Sequence, residues 1–138
     1  MAALATVLVV LVALLHGYIL VLEMFLWRTP LGRRAFGTDQ DFADRSAPLA
    51  ANRGLYNGFL AAGLIWGALA GDPVGFQVRV FFLACVIAAG GFGAATVNRR
   101  ILFVQAVPAA VTLAVVQAPD LFRCRQHPGL AGRRVRGR

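Results

Sequence analysis

His16 and Glu23 stand seven residues apart inside an otherwise apolar run, Ala2 to Trp27, of a 138-residue chain. Steps of three, four and seven along a helix return to nearly the same direction, so His16, Leu20, Glu23 and Trp27 share one face. An imidazole and a carboxylate placed this way could bind a proton or a cation, relay a proton, or act as general acid and base. A charge at depth in a bilayer is expensive, so this face should point into a bundle or a wet cavity. Further along, Asn52, Tyr56, Phe59, Gly63 and Trp66 also fall on one helical face, while Asn57 points roughly 100° away from Tyr56.

The elements that must hold these groups follow from composition. The chain is 59% hydrophobic and 14% charged, and its 14 basic residues against 6 acidic ones leave a net charge of +8. Mean hydropathy is +0.69. These values exclude a soluble enzyme, a disordered chain and a disulfide scaffold. Every basic residue is Arg, and the charges gather in short stretches that leave four apolar runs: Ala2 to Trp27, about Gly54 to Ala70, Val80 to Val97, and Ile101 to Ala118. A helix rises about 1.5 Å per residue, so roughly 20 apolar residues cross a hydrocarbon core. The expected fold is an all-α membrane protein, a four-transmembrane-helix bundle over residues 1–118 with a short interfacial helix in the first loop and an Arg-rich tail over 119–138. The turn Asn98-Arg99-Arg100 makes the last two runs a tight hairpin. Small residues Ala84, Ala88, Gly91 and Ala95 would let another backbone approach the third span.

Depth gathers the polar groups. Glu23 lies about 7.5 Å and His16 about 18 Å inside the Arg28 boundary, Tyr56 and Asn57 lie about 5 Å past Arg53, and Gln105 lies about 7.5 Å past Arg100. One pocket opening toward the first loop would draw on Glu23, His16, Tyr56, Asn57, Asn52, Trp27 and Gln105. Structural roles compete with this reading: Glu23 pairing with Arg28 or Arg53, His16 bridging helices, and Asn57 hydrogen-bonding between helices. In the first loop Thr38 can cap a short helix, with Asp39 and Asp41 near its positive end. The aspartates lack the glycine and distal glutamate of a calcium loop, and neither a phosphate loop nor zinc spacing occurs, so no metal and no cofactor is expected. Arginine counts on the two sides nearly tie; weighting the first helix and the short loops puts the first loop in the cytoplasm.

The strings HGYILVLEMFLW (His16 to Trp27), LAANRGLYNGFLAAGLIWG (Leu49 to Gly67) and FFLACVIAAGGFGAATVNRRILFVQAVPA (Phe81 to Ala109) resemble the domain of unknown function 1304 family of small bacterial integral membrane proteins. The resemblance covers roughly Leu11 to Val116. It implies a multi-pass protein of the cell inner (plasma) membrane, with no established activity, and with His16, Glu23, Asn52, Tyr56 and Asn57 as characteristic polar positions. The chain departs from the pattern at Arg53, where Gln is more common, and in its tail.

Three functions are compatible with these residues. The first is a small proton- or cation-coupled transporter using Glu23, working as a homodimer because four short helices barely enclose a path. The second is a non-catalytic membrane accessory protein. The third is a membrane enzyme acting on a lipid or isoprenoid-like substrate, with Glu23 or His16 as acid or base and Tyr56 as partner. Expected partners are membrane lipids and an unidentified small-molecule ligand. Nucleic acid is not expected, because the tail lacks interleaved aromatics.

Overall fold

Pro30 follows a threonine and Gln40 follows an aspartate, and each pair starts a helix. In the computed structural model, which describes residues 2–126 and the side chains of residues 3–118, the elements are α1 (Ala2–Met24), α2 (Pro30–Phe36), α3 (Gln40–Leu69), α4 (Val74–Thr96), a π-helical turn (Leu102–Ala106) and α5 (Val107–Gln126). No strand occurs among the described residues. The rest of the Arg-rich tail lies outside them.

Two boundaries differ from expectation. Thr29 caps the short helix of the first loop, not Thr38: its Oγ1 accepts from the Gly32 N–H at 3.3 Å and donates to the Leu26 carbonyl at 2.7 Å. Proline at the first helical position fits this start, since its fixed φ suits a helix and its missing N–H would be unpaired there anyway. Gly37 closes the helix at φ 67, a left-handed conformation that glycine adopts without a Cβ clash. The aspartates belong to the next helix. Asp39 accepts from the Phe42 N–H at 2.7 Å and so caps α3, which begins at Gln40 rather than near Gly54. Pro48 lies inside α3 without ending it.

Two helices, α1 and α4, are long and apolar enough to cross a membrane, where four were expected. Asn52, Arg53, Tyr56 and Asn57 dilute the apolar character of α3, and the π-helical turn shortens the apolar α-helical part of the last run.

The four long helices pack in a ring, α1 on α3, α3 on α4, α4 on the π turn and α5, and α5 back on α1. The core inside it comprises Val9, Val12, Ala13, Leu64, Leu83, Val86, Ala109 and Val116. Glycine permits several close approaches between elements, two of which bear on the site and on α4. A Cβ on Gly54 would lie 2.6 Å from Met24 Cγ and 3.1 Å from its backbone nitrogen. A Cβ on Gly90 would lie 2.9 Å from the Ala106 nitrogen. The contact of α4 with the π turn thus runs through Gly90, whereas Ala84, Ala88 and Ala95 are exposed and nothing approaches Gly91. The small-residue stripe of the sequence reading was displaced from the packed face by one residue, or about 100°.

A second, smaller core closes the first-loop end. Trp27 packs with Ala43 and Ala50, its ring centroid stands 4.8 Å from that of Phe36, and its Nε1 donates to Ser46 Oγ at 3.0 Å.

Candidate functional site

Glu23 occupies the last turn of α1 with its side chain 1% exposed. A carboxylate taken from water needs partners, because an unpaired buried charge costs far more than a paired one. Both partners come from α3. Arg53 reaches Oε1 at 3.0 Å, and Asn57 donates from Nδ2 to Oε2 at 2.9 Å. Asn57 Nδ2 also lies 3.1 Å from the Arg53 carbonyl, one turn back in the same helix. Spacing of four residues puts Arg53 and Asn57 on one strip of α3, and Gly54 beside them lets that strip come close to Glu23. The Arg53 side chain is 51% exposed, so the pair joins a buried anion to a cation half in solvent.

Of the residues expected to share a pocket, the structure joins Glu23 and Asn57. Tyr56 is turned out: it is 56% exposed, and its ring stands 6.2 Å from that of Phe59 on the same outer face. Asn52 is exposed as well. Of the face read from periodicity, Asn52, Tyr56, Phe59 and Trp66 point away from the bundle, because Gly54 and Gly58 of α3 meet α1, whereas Gly63 is buried against Phe82 of α4. Convergence of Tyr56 with Glu23 is therefore corrected, and with it the acid/base pairing of the two. Gln105 sits in the π turn, half-buried, where its Cβ packs against Gly90 of α4. His16 is 1% exposed two turns before Glu23, and its Nδ1 is 2.9 Å from the Val12 carbonyl of its own helix. A carbonyl only accepts, so Nδ1 carries the hydrogen. Trp27 belongs to the small core of the first-loop end, a few residues beyond Glu23.

Arg53 was not among the expected site residues. Its signal lay in its i,i+4 relation to Asn57 and in the pairing with Glu23 that a structural role for that carboxylate would require.

Beside the carboxylate, a groove of about 430 Å³ runs between the end of α1 and the middle of α3. Met24, Phe25, Ala47, Pro48 and Ala51 form its walls with Trp27, Glu23 reaches it from α1, and Arg28 flanks it. Arg28 Nε is 3.5 Å from Asp44 Oδ1, with both side chains more than half exposed. No group of three or more His, Cys, Asp or Glu that could hold a metal occurs among the described residues.

The family model described as a protein of unknown function, DUF1304, matches residues 10–117, a span that includes every residue of this site. An uncharacterized protein, YpaA, of Lactococcus lactis subsp. lactis (strain IL1403) is 31% identical over 107 residues, which are 76% of this chain and 89% of that protein. No solved structure matches.

Proposed function

The chain belongs to the DUF1304 family of proteins of unknown function, and from that premise we propose that it is a multi-pass protein of the cell inner membrane that acts as a small proton- or cation-coupled transporter, with Glu23 as the exchangeable charge. One observation carries this reading: a fully buried carboxylate is neutralised by a guanidinium that is itself half exposed. When Arg53 swings outward, a proton or a cation must take its place, since the bare anion cannot stay buried. Intramembrane ionisable groups that face a bundle commonly mark such paths.

Three features support the membrane placement of all four long helices. Large apolar side chains face outward along them, among them Leu11 and Leu14 on α1, Phe59 and Leu69 on α3, Phe81 and Phe92 on α4, and Val111 on α5. Arg53 and Asn57 direct polar groups to Glu23, which lowers the cost of setting α3 in lipid. Arg99 and Arg100 lie exposed at the α4–α5 turn, where a polar boundary suits them. Four helices alone enclose little space, which favours a homodimer as the working unit.

A proton-coupled uptake assay in liposomes, across cationic and neutral compounds, tests the reading by comparing wild type with Glu23→Gln. The accessory-protein reading has its own support, because each Glu23 oxygen already has a partner within α3. Under that reading Glu23→Gln changes stability and no transport is found.

A further inference from the structure

We propose that the groove beside Glu23 binds the headgroup of a phospholipid bearing a primary ammonium, with the ammonium on Glu23 and the phosphate on Arg28. The inference rests on the reading of Glu23 as an exchangeable cation site and names the ligand class of that site.

The groove, about 430 Å³, falls in the range of small-ligand sites. Apolar side chains form the larger part of its walls, Met24 and Phe25 from α1 and the turn after it, and Ala47, Pro48 and Ala51 from α3, with polar surface between them. Ala47 and Ala51, four residues apart, keep the α3 wall low, and Pro48 between them has no N–H to offer. The ionic groups that line it are therefore one acid and one base, Glu23 and Arg28.

Both retain binding capacity. A carboxylate has about four acceptor positions. Arg53 and Asn57 use one on each oxygen and leave the Glu23 side chain 1% exposed, so an ammonium in the groove reaches the carboxylate when the half-exposed Arg53 swings out and gives up its position on Oε1. An ammonium with three N–H donors fills that position, whereas a quaternary ammonium has none to give. Arg28 is tied to Asp44 at 3.5 Å, and both side chains are more than half exposed, so the tie is weak and open to exchange. Its planar guanidinium suits a phosphate.

A zwitterion thus matches the groove in sign at both ends. The apolar surround points to the lipid rather than to a free headgroup. Phe25 is 69% exposed and Leu49, next to Pro48, is 70% exposed, which supplies a surface for acyl chains at the groove. That surface would go unused by a soluble phosphoethanolamine.

Trp27 lines the groove and reports on it. The chain has two tryptophans, and Trp66→Phe leaves Trp27 as the single emitter. The full chain carrying this change is placed in phosphatidylcholine nanodiscs with rising phosphatidylethanolamine content, and Trp27 emission is followed. The expected result is a saturating change with phosphatidylethanolamine, none with phosphatidylglycerol or soluble phosphoethanolamine, and a half-saturating fraction raised about tenfold by Glu23→Gln and by Arg28→Gln, as expected for the loss of one charge-assisted contact. An equal response to phosphatidylglycerol or to soluble phosphoethanolamine overturns the proposal, as does a response unchanged in both variants. Arg28 is mostly exposed, so Arg28→Gln keeps the test decisive if Glu23→Gln does not fold. No phosphatidylethanolamine response, combined with uptake that depends on Glu23, overturns this inference and leaves the transport reading standing. A response without such uptake does the reverse.

Discussion

Asn57 of α3 and Glu23 of α1, thirty-four residues apart in the chain, meet at 2.9 Å through Nδ2 and Oε2. That single bond fixes the rotation of α3 about its axis. With Asn57 turned to α1, Tyr56 must face outward, and Gly54 and Gly58 must lie along the contact, where added Cβ atoms would meet Met24 and Leu20. Arg53, one turn before Asn57, then reaches the other carboxylate oxygen. Helix rotation, carboxylate neutralisation and close packing are one arrangement.

Replacing Glu23 by Gln keeps the side-chain shape and the hydrogen bond with Asn57 but removes the charge. Folded protein should accumulate normally, by far-UV circular dichroism and gel filtration in detergent, while proton-linked uptake disappears. Failure to accumulate would make the ion pair a structural element and would sink the transport reading.

Removal of the Asn57 amide should be felt more strongly than its modest exposure suggests. Asn57→Ala deletes a hydrogen bond to a charged group, a loss of about 1.5–3 kcal/mol. Asn57→Asp should be worse, because it sets a second carboxylate against Glu23. Thermal unfolding in one detergent, with the three proteins side by side, checks the order wild type, Ala, Asp. A melting point for Asn57→Asp equal to that of wild type would contradict the contact.

Adjacent glycines on α4 should respond in opposite ways. Gly90→Ala drives a methyl to 2.9 Å from the Ala106 backbone nitrogen, which cannot rotate aside, and overpacking of this kind costs about 1–3 kcal/mol. Gly91→Ala meets nothing within 4 Å and raises helix propensity, so it should be neutral or slightly stabilising. Equal effects at the two positions would show that the contact between α4 and the π turn does not run through Gly90.

The first-loop core depends on one indole. Trp27→Phe keeps an aromatic ring against Phe36 but loses the bond to Ser46, a change of about 0.5–1.5 kcal/mol. Amide hydrogen exchange should rise in α2 and at the start of α3, with α4 unaffected. If exchange instead rises evenly over the whole chain, Trp27 supports the bundle rather than the first-loop end.

Much of this was legible in the residues alone. The apolar runs and the tight Asn98–Arg100 turn required helices, and the pairing of Glu23 with a nearby arginine and of Asn57 across helices were both readable as structural roles. Periodicity also placed Asn52, Tyr56, Phe59 and Trp66 on one face correctly. It could not say that this face points outward, because 3.6 residues per turn relates the residues of one helix to each other and carries no information about where the next helix stands. Tertiary structure decided that, through the glycines: α1 approaches α3 where Gly54 and Gly58 leave room, and the π turn approaches α4 at Gly90 rather than at its neighbour Gly91. The same limit applies to Arg53, whose role exists only once α1 is beside α3. Local chemistry near Asp39 likewise suited a helix start, but whether that helix would be short or would run thirty residues through Pro48 depended on the packing of Trp27 against Ala43 and Ala50 along its first turns.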